Sequence, residues 1–166
     1  MDETDLKITM ILAEDGRLAN SEIARQLGIS EGTVRQRLKK LIDADVVKVQ
    51  AQVNSDRVPN QVLAIIGLKI EGRQMERCAE QINRFAEVQR TMIVTGRYDL
   101  LVTLLLDGQD RLVDFVTHKL SQVKGIRDSE TFVCLKNYDP WFPAVCLGRA
   151  MHSAAQESGK SSPDKS

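Results

Sequence analysis

The stretch NSEIARQLGISEGTVRQRLKKLI, Asn20 to Ile42, decides the fold of the N-terminal part of this chain. Its first eight residues place Ile23, Ala24 and Leu27 on one side of a short helix, where they can face a core. Gly28 follows directly and can adopt the left-handed conformation that ends a helix. The small Ala24 lets another helix cross closely, and the glycine turn directs the chain into that next helix.

The next helix is predicted to start at Ser30, whose hydroxyl can cap its first turn. Its apolar residues follow the i, i+4, i+7, i+8 spacing of a single buried stripe: Val34, Leu38, Leu41 and Ile42. An earlier helix is predicted over residues 5–13, with apolar residues at nearly helical spacing. Three short helices, the last two joined by a tight glycine turn, predict a helix-turn-helix.

The outer face of the third helix collects small, hydroxyl and cationic side chains. Its narrow first turn can approach base edges in a DNA major groove, where Thr33 and Gln36 can read them. The cations can reach phosphates on either side. The alternative is an ordinary solvated helix whose charges face water. The candidate DNA-binding residues are Ser30, Gly32, Thr33, Arg35, Gln36, Arg37, Lys39 and Lys40.

Composition narrows the class of protein. The 166 residues suit one compact domain or two small ones, and 23 Lys and Arg residues balance 23 Asp and Glu residues. Zero net charge excludes attraction of the whole protein to nucleic acid or membrane but permits a local basic stripe. No stretch approaches the ~20 apolar residues of a membrane helix, and the acidic start is not a secretory signal. Three widely spaced cysteines favour reduced thiols in the cytoplasm.

After residue 45 the pattern changes from helices to strands. VVKVQAQVN, residues 46–54, predicts a strand in which Lys48 can lie over a DNA backbone as a wing. From Val62 onward, branched runs and amphipathic stretches alternate in the order strand, helix, strand, strand, helix, strand. The predicted fold class is therefore α+β, with an N-terminal winged helix-turn-helix and a C-terminal ferredoxin-like βαββαβ domain.

Some strands of this second domain are apolar on both faces. In the strand RYDLLVTLLL, residues 97–106, apolar side chains occupy both sets of alternating positions. Two helices can cover only one face of a four-stranded sheet, so the other face needs a partner. A second copy of the same sheet is the simplest partner and predicts a homodimer. The N-terminal helices or the tail are the alternative cover.

Four blocks of sequence, taken together, resemble the Lrp/AsnC (feast/famine) family of prokaryotic transcription regulators: DETDLKITMILAEDGR, SEIARQLGIS, EGTVRQRLKKLIDADVVK and VTGRYDLLV. The resemblance covers nearly all of residues 1–136. It implies double-stranded DNA and a small-molecule effector, usually an amino acid, as partners. It also implies a homodimer that assembles further into tetramers or octamers.

The TGRYD segment is the candidate effector site. Gly96 can take the positive φ of a tight turn, whose N–H groups can hold a carboxylate, and Asp99 can hold an ammonium group. The alternative is that Gly96 only makes the hairpin, Asp99 bonds to the turn backbone and Tyr98 packs. The resemblance makes Gly96, Tyr98 and Asp99 candidates, because the family's glycine-x-tyrosine-aspartate loop lines its effector cleft. Thr131, on the last strand, is a weaker candidate.

The chain departs from the family pattern in two places. Ala19 stands where many members have a serine or threonine cap, so Asn20 is predicted to take the cap instead, moving the start of the helix by one residue. The tail from Asn137 extends past the usual last strand. Trp141 and Phe142 are expected either to pack on a neighbouring subunit or to fold back on their own chain.

The predicted organisation has four parts: residues 1–48 for DNA binding, a linker strand at 49–61, a ligand-binding and oligomerisation domain at 62–138, and an extension at 139–166 that is disordered at its end.

The two histidines, His118 and His152, form no metal-spaced pair, and no glycine-rich phosphate loop occurs. We therefore expect no cofactor, no metal and no enzyme. The alternative is a haem-pathway (sirohaem-type) decarboxylase subunit of the same architecture, which would need histidine and arginine gathered in the second domain. A third possibility is a docking protein whose basic helix meets an acidic partner.

Overall fold

The computed structural model describes residues 1–144. The chain divides into two units: Met1–Ala51 forms the first, and the second begins at Gln52. Within the described part, no helix combines the length and apolar character needed to cross a lipid bilayer. The predictions for Cys146, His152 and the disordered end of the tail concern residues outside the described part.

The first unit is built from three helices: α1 (Glu3–Glu14), α2 (Asn20–Leu27) and α3 (Glu31–Asp43). The three helices share one core. α1 contributes Ile8, α2 contributes Ile23 and Ala24, and α3 contributes Val34. Gly28 ends α2 with a φ of 66°, which its position in the sequence predicts. The helix-turn-helix predicted from residues 20–42 is present.

The starts of α1 and α2 are fixed differently. At α1, the Asp2 carboxylate accepts the N–H of Asp5 at 2.9 Å, and the Asp5 carboxylate accepts the N–H of Asp2 at 3.0 Å. α2 starts after Ala19, which caps no N–H group through its side chain. The predicted transfer of the cap to Asn20 is wrong, because Asn20 is already the first helical residue.

The strand predicted over residues 46–54 is largely absent. Asp45 adopts a φ of 55°, and the N–H groups of Val46 and Val47 both donate to the Leu41 carbonyl, which ends α3 in a tight turn. Residues 48–51 then form no strand, and only β1 (Gln52–Asn54) is extended and paired. The described residues of the first unit offer no neighbouring strand, so this stretch has nothing to pair with. Lys48 is exposed but lies on no β-wing.

The second unit contains a four-stranded sheet. Its elements are β2 (Gln61–Ile70), α4 (Met75–Ile82), β3 (Val88–Ile93), β4 (Leu100–Asp107), α5 (Gln109–Asp114) and β5 (Ile126–Val133). The strands lie in the order β3-β4-β2-β5, and every neighbouring pair is antiparallel. This is the ferredoxin-like arrangement predicted from the order of the elements.

The helix predicted over residues 109–123 is irregular. After α5 the chain continues as a π-turn (Phe115–Lys119) and a 3₁₀ turn (Leu120–Gln122). Phe115 is fully buried and meets the Phe85 ring edge-on at 5.5 Å. Lys119, at the end of this π-turn, donates to the buried Glu87 carboxylate at 2.6 Å. The widened turn therefore coincides with a charged contact. The apolar pattern of the sequence does not indicate that contact.

The two faces of the sheet are covered to different degrees. The face under the helices is a continuous core, in which Ile66, Leu68, Val102 and Leu104 are fully buried. On the opposite face, Ile65 is 38% exposed and Phe132 is 45% exposed. Because Ile65 stands opposite Phe132 in the strand register, the two form a contiguous apolar surface.

A second, smaller sheet pairs β1 with β6 (Trp141–Pro143), antiparallel. We call this pair the linker ribbon. Trp141 and Phe142 therefore fold back on their own chain, which was one of the two predicted arrangements of the tail.

Candidate nucleic-acid interface and effector site

The N-terminus of α3 combines a cap with an open first turn. Ser30 Oγ accepts the N–H of Thr33 at 3.1 Å and lies 2.8 Å from the Thr33 hydroxyl. Ser30 therefore serves as the predicted cap and remains exposed. Gly32 is exposed too, and a Cβ built there would touch only Ser30 Oγ, at 3.8 Å. The first turn thus presents hydroxyl groups and backbone without bulky side chains in front of them.

Two exposed cations on α3 are held by carboxylates of the same helix. Arg35 pairs with Glu31, and Lys39 donates to Asp43 at 2.6 Å. The Arg35 and Lys39 side chains are 68% and 74% exposed. Ion pairs this exposed contribute little to stability, so a phosphate oxygen can replace either carboxylate at low cost.

Gln36 and Lys40 complete the outer face of α3. Both are exposed, and within residues 1–144 neither side chain takes part in a hydrogen bond or ion pair. With Gly32, Arg35 and Lys39 they form a surface that we call the α3 outer face. Its polar groups are either unoccupied or held by exchangeable partners, as a surface that contacts DNA requires.

Arg37 is placed differently from the other candidates. Its guanidinium donates to Asp2 at 2.6 Å and to Asp5 at 2.8 Å, and its side chain is 34% exposed. Arg37 therefore ties α3 to the start of α1. Arg37 was predicted to be one of the cations that reach DNA phosphates, but its guanidinium pairs with the two carboxylates at the start of α1.

Acid is expected to loosen this tie. The Arg37 guanidinium and the Asp5 N–H lower the pKa of Asp2, and the Asp2 N–H and Arg37 lower the pKa of Asp5, both from an ordinary value of 3.8. Because both folded-state pKa values are depressed, their stabilising contribution is complete above 3.8 and is lost as pH falls through the folded values. Far-UV circular dichroism of unfolding between pH 6 and about pH 2.5 measures the loss. Arg37→Ala should remove the part that the guanidinium contributes, which is the larger part for Asp2, whereas Arg35→Ala should leave the whole effect in place.

The TGRYD turn is fixed by Asp99. Gly96 has a φ of 129°, and the N–H of Val94 donates to the Asp99 carbonyl at 3.0 Å, which closes the hairpin. The Asp99 carboxylate accepts the N–H of Ile70 at 2.7 Å. Asp99 thus bonds to the backbone of the turn and also to the backbone at the end of β2, where the strand pairing with β5 is irregular.

Tyr98 lies over Gly67 on the sheet face that the helices leave open. A Cβ built on Gly67 would approach three ring atoms of Tyr98 to 2.7–2.8 Å. The Tyr98 hydroxyl donates to the Glu130 carboxylate, and the Phe132 ring packs edge-on against Tyr98 at 6.3 Å. Arg97 lies 5.6 Å from the Tyr98 ring centroid and 3.4 Å from Glu130. An aromatic wall, a cation and a carboxylate therefore meet beside the turn.

Not all the predicted effector residues come together. Thr131 stands opposite Ile66 in the register, and Ile66 belongs to the core beneath the helices. Because residues directly opposite each other share a face, Thr131 points away from Tyr98. Its neighbour Glu130 stands opposite Gly67 and lies on the Tyr98 face.

Sequence reasoning missed four residues of this cluster: Gly67, Arg97, Glu130 and Phe132. Gly67 had a signal, because a glycine in the middle of an apolar strand often marks a close approach. No local pattern in the sequence indicated Glu130, because its place beside Tyr98 depends on the register of β5 against β2.

Two short helices joined by a glycine turn, with an open polar face on the second, define a helix-turn-helix DNA-binding protein. The antiparallel ferredoxin-like unit that follows is of the kind that carries small-molecule sites. Comparisons with known proteins agree with both. Residues 1–48 match the family model for winged helix-turn-helix DNA-binding domains, and residues 63–141 match the Lrp/AsnC ligand-binding domain.

The relatives place the chain in one family. An HTH-type transcriptional regulator of Pyrococcus furiosus is 34% identical over 134 residues, 80% of this chain and 90% of that protein. HTH-type transcriptional regulator Ptr1 of Methanocaldococcus jannaschii is 30% identical over 139 residues, 83% of this chain and 94% of that protein. This chain belongs to the Lrp/AsnC family and is a DNA-binding transcription regulator with that family's ligand-binding domain. The decarboxylase alternative is not favoured.

Solved structures share the architecture. A transcriptional regulator of Neisseria meningitidis in complex with L-methionine aligns with a TM-score of 0.72 and 27% identity, covering 84% of this chain and 92% of that chain. E. coli AsnC aligns with a TM-score of 0.73 and 23% identity, covering 83% of this chain and 94% of that chain. At 23% identity, the likeness to E. coli AsnC shows a shared fold only.

Proposed function

We propose that this protein acts in the cytoplasm as a homodimer that binds a near-palindromic DNA site through α3, and that an amino acid modulates this binding. The α3 outer face carries the proposal. Its first turn is narrow, Gln36 and Lys40 are open, and Arg35 and Lys39 are held only by exposed carboxylates. This distribution lets base-reading groups enter the groove while cations reach the flanking phosphates.

The role of each residue follows from its contacts. Thr33 and Gln36 face base edges, Ser30 caps the helix beside the backbone, and Arg35, Lys39 and Lys40 contact phosphates. Arg37 holds α3 against α1 and acts on DNA only through the position of that helix. In a dimer, two copies of α3 address half-sites about one DNA turn apart.

A gel shift and footprint on the protein's own upstream DNA test this proposal. We expect a discrete footprint with two related half-sites, and Gln36→Ala should relax the sequence preference at one position of each half-site. If no footprint is found on this DNA, or on fragments selected from the genome, the proposal is contradicted. The α3 outer face would then be assigned to docking of an acidic partner protein.

Support for an amino-acid effector comes from the cluster beside the TGRYD turn and from the L-methionine complex of the Neisseria relative. Arg97 is exposed and can meet a carboxylate, while Phe132 and Tyr98 offer apolar contact. We assign the ammonium group to Glu130, because its side chain is 44% exposed beside Tyr98 on the open sheet face, whereas Asp99 is half-buried and holds the N–H of Ile70. Asp99 and Gly96 then serve the site by fixing the turn.

Glu130→Gln is expected to weaken amino-acid binding by about 10-fold or more, because it removes a charge-assisted hydrogen bond worth about 1.5–3 kcal/mol. Calorimetric titration with L-methionine, L-leucine, L-lysine and L-aspartate measures the change. Asp128→Asn removes the same charge from the same strand, where Asp128 is exposed, and should leave affinity unchanged. If Glu130→Gln binds the amino acid as tightly as the parent does, while Asp99→Ala does not bind it, the ammonium group would be assigned to Asp99 instead.

The open sheet face supports the homodimer. Ile65 and Phe132 are exposed at 38% and 45% on a face whose neighbouring residue Leu105 is fully buried, and an isologous contact would cover this apolar surface. Light scattering at micromolar concentration tests it: a monomer would contradict the dimer, whereas tetramers or octamers would extend it.

A further inference from the structure

We infer that the C-terminal strand β6 anchors the linker through the linker ribbon and thereby sets the length of the tether between the DNA-binding unit and the second unit. The consequence for DNA rests on the proposed function, whereas the anchoring itself does not. Phe142 is a positioning residue in this inference, because it acts through β1.

The linker ribbon is held by paired backbone and one apolar contact. Val53 stands opposite Phe142, and both are half-buried. The N–H of Ser55 donates to the Pro140 carbonyl at 2.8 Å, extending the pairing beyond the strands. Within residues 1–144, β1 pairs with no strand other than β6.

Little else holds the linker at this point. The segments that leave β1 and lead toward β6, residues 55–61 and 134–137, line an open pocket of about 380 Å³ together with Leu63 and Leu105 of the sheet. The next firm attachment along the chain is Asn60, whose carbonyl accepts the N–H of Gly108 at 2.7 Å. If β6 is released, the chain is therefore expected to be free as far as Asn60, because a three-residue strand without a partner is not stable.

Release would lengthen the tether about threefold. The tether now comprises residues 48–51, between the last backbone bond of α3 and the linker ribbon, and would extend through residue 60. Effective concentration falls roughly as the −3/2 power of tether length once the span is exceeded. Binding of two half-sites by one dimer should weaken by about fivefold, while binding of one half-site should not change.

The linker ribbon lies at the end of the family match. The match to the ligand-binding family model ends at residue 141, so Phe142 and Pro143 lie beyond it.

The test uses the full chain with Phe142→Asp, and Tyr138→Asp as the matched control. Tyr138 is 88% exposed and lies just before the linker ribbon in the chain. Trypsin cleavage after Arg57 should rise at least tenfold in Phe142→Asp and stay at the parent rate in Tyr138→Asp. Val53→Asp, on the opposing strand, should reproduce the Phe142→Asp result.

DNA with one or two half-sites completes the test. The expected result is a loss of about fivefold on two half-sites only. An unchanged cleavage rate at Arg57 in both ribbon variants would overturn the anchoring, whatever the DNA result. Faster cleavage with unchanged two-site affinity would overturn the tether. Failure of the parent protein to bind any DNA would contradict the proposed function, and the cleavage rates would still decide whether β6 anchors the linker.

Discussion

Replacing Arg35, Lys39 and Lys40 with alanine is expected to weaken DNA binding by at least about 100-fold at moderate salt. Each cation that meets a phosphate makes a charged contact worth about 1 kcal/mol or more. Three such losses in each unit therefore exceed two powers of ten in the dissociation constant. None of the three side chains enters the core of the first unit, so the fold should survive.

The salt dependence distinguishes phosphate contacts from other causes. Each phosphate contact releases counterions and adds about 0.9 to the slope of log affinity against log salt. The triple variant should therefore lower the slope by about 2–3 for each bound unit. Gel shifts between 50 and 200 mM salt, on a fixed DNA fragment, measure it.

A charge-matched control separates local contact from overall charge. Arg73, Arg77 and Arg84 are exposed cations of the second unit, and their triple alanine variant changes the net charge by the same amount. It should bind DNA with nearly the parent's affinity and slope. Equal weakening by both triple variants would mean that general charge, and not the α3 outer face, attracts the DNA.

Gly67→Val is expected to displace Tyr98 and to cost the second unit about 1–3 kcal/mol of unfolding free energy, or more. A Cβ at position 67 would lie 2.7 Å from the base of the Tyr98 ring, so rotation of the far end of the side chain cannot relieve the clash. Gly67 itself is buried. The ring must leave the sheet, and its hydroxyl must leave Glu130.

Chemical denaturation and amino-acid titration together measure both consequences. We expect lower stability and loss of effector binding, with DNA binding by α3 retained. Ile65→Val is the matched control, because Ile65 lies two residues away on the same face and is 38% exposed. It should change stability by less than about 1 kcal/mol.

A double-mutant cycle identifies the cause. If the ring is what valine meets, Gly67→Val should cost far less in a Tyr98→Ala background than in the parent chain. An equal cost in both backgrounds would show that the glycine is needed for strand packing or backbone freedom and that Tyr98 is not involved.

Local patterns in the sequence are enough to predict several elements of this fold. Apolar stripes and the Gly28 turn defined α2 and α3, and the alternation of strand and helix defined the ferredoxin-like unit. The position of Ser30 before Thr33 also determined its cap, because that hydrogen bond joins residues three apart. Such features depend on neighbours in the chain, which the sequence lists directly.

Tertiary structure decided the rest, because the decisive contacts join residues far apart in the chain. Arg37 pairs with Asp2 and Asp5, more than thirty positions away in the chain. Residues 48–51 failed to form a strand because a strand needs a partner, and β6 supplied one only for Gln52–Asn54. The register of β5 against β2 put Glu130, and not Thr131, beside Tyr98. Since a shift of one residue exchanges the two faces of a strand, no local pattern in the sequence could have made that choice.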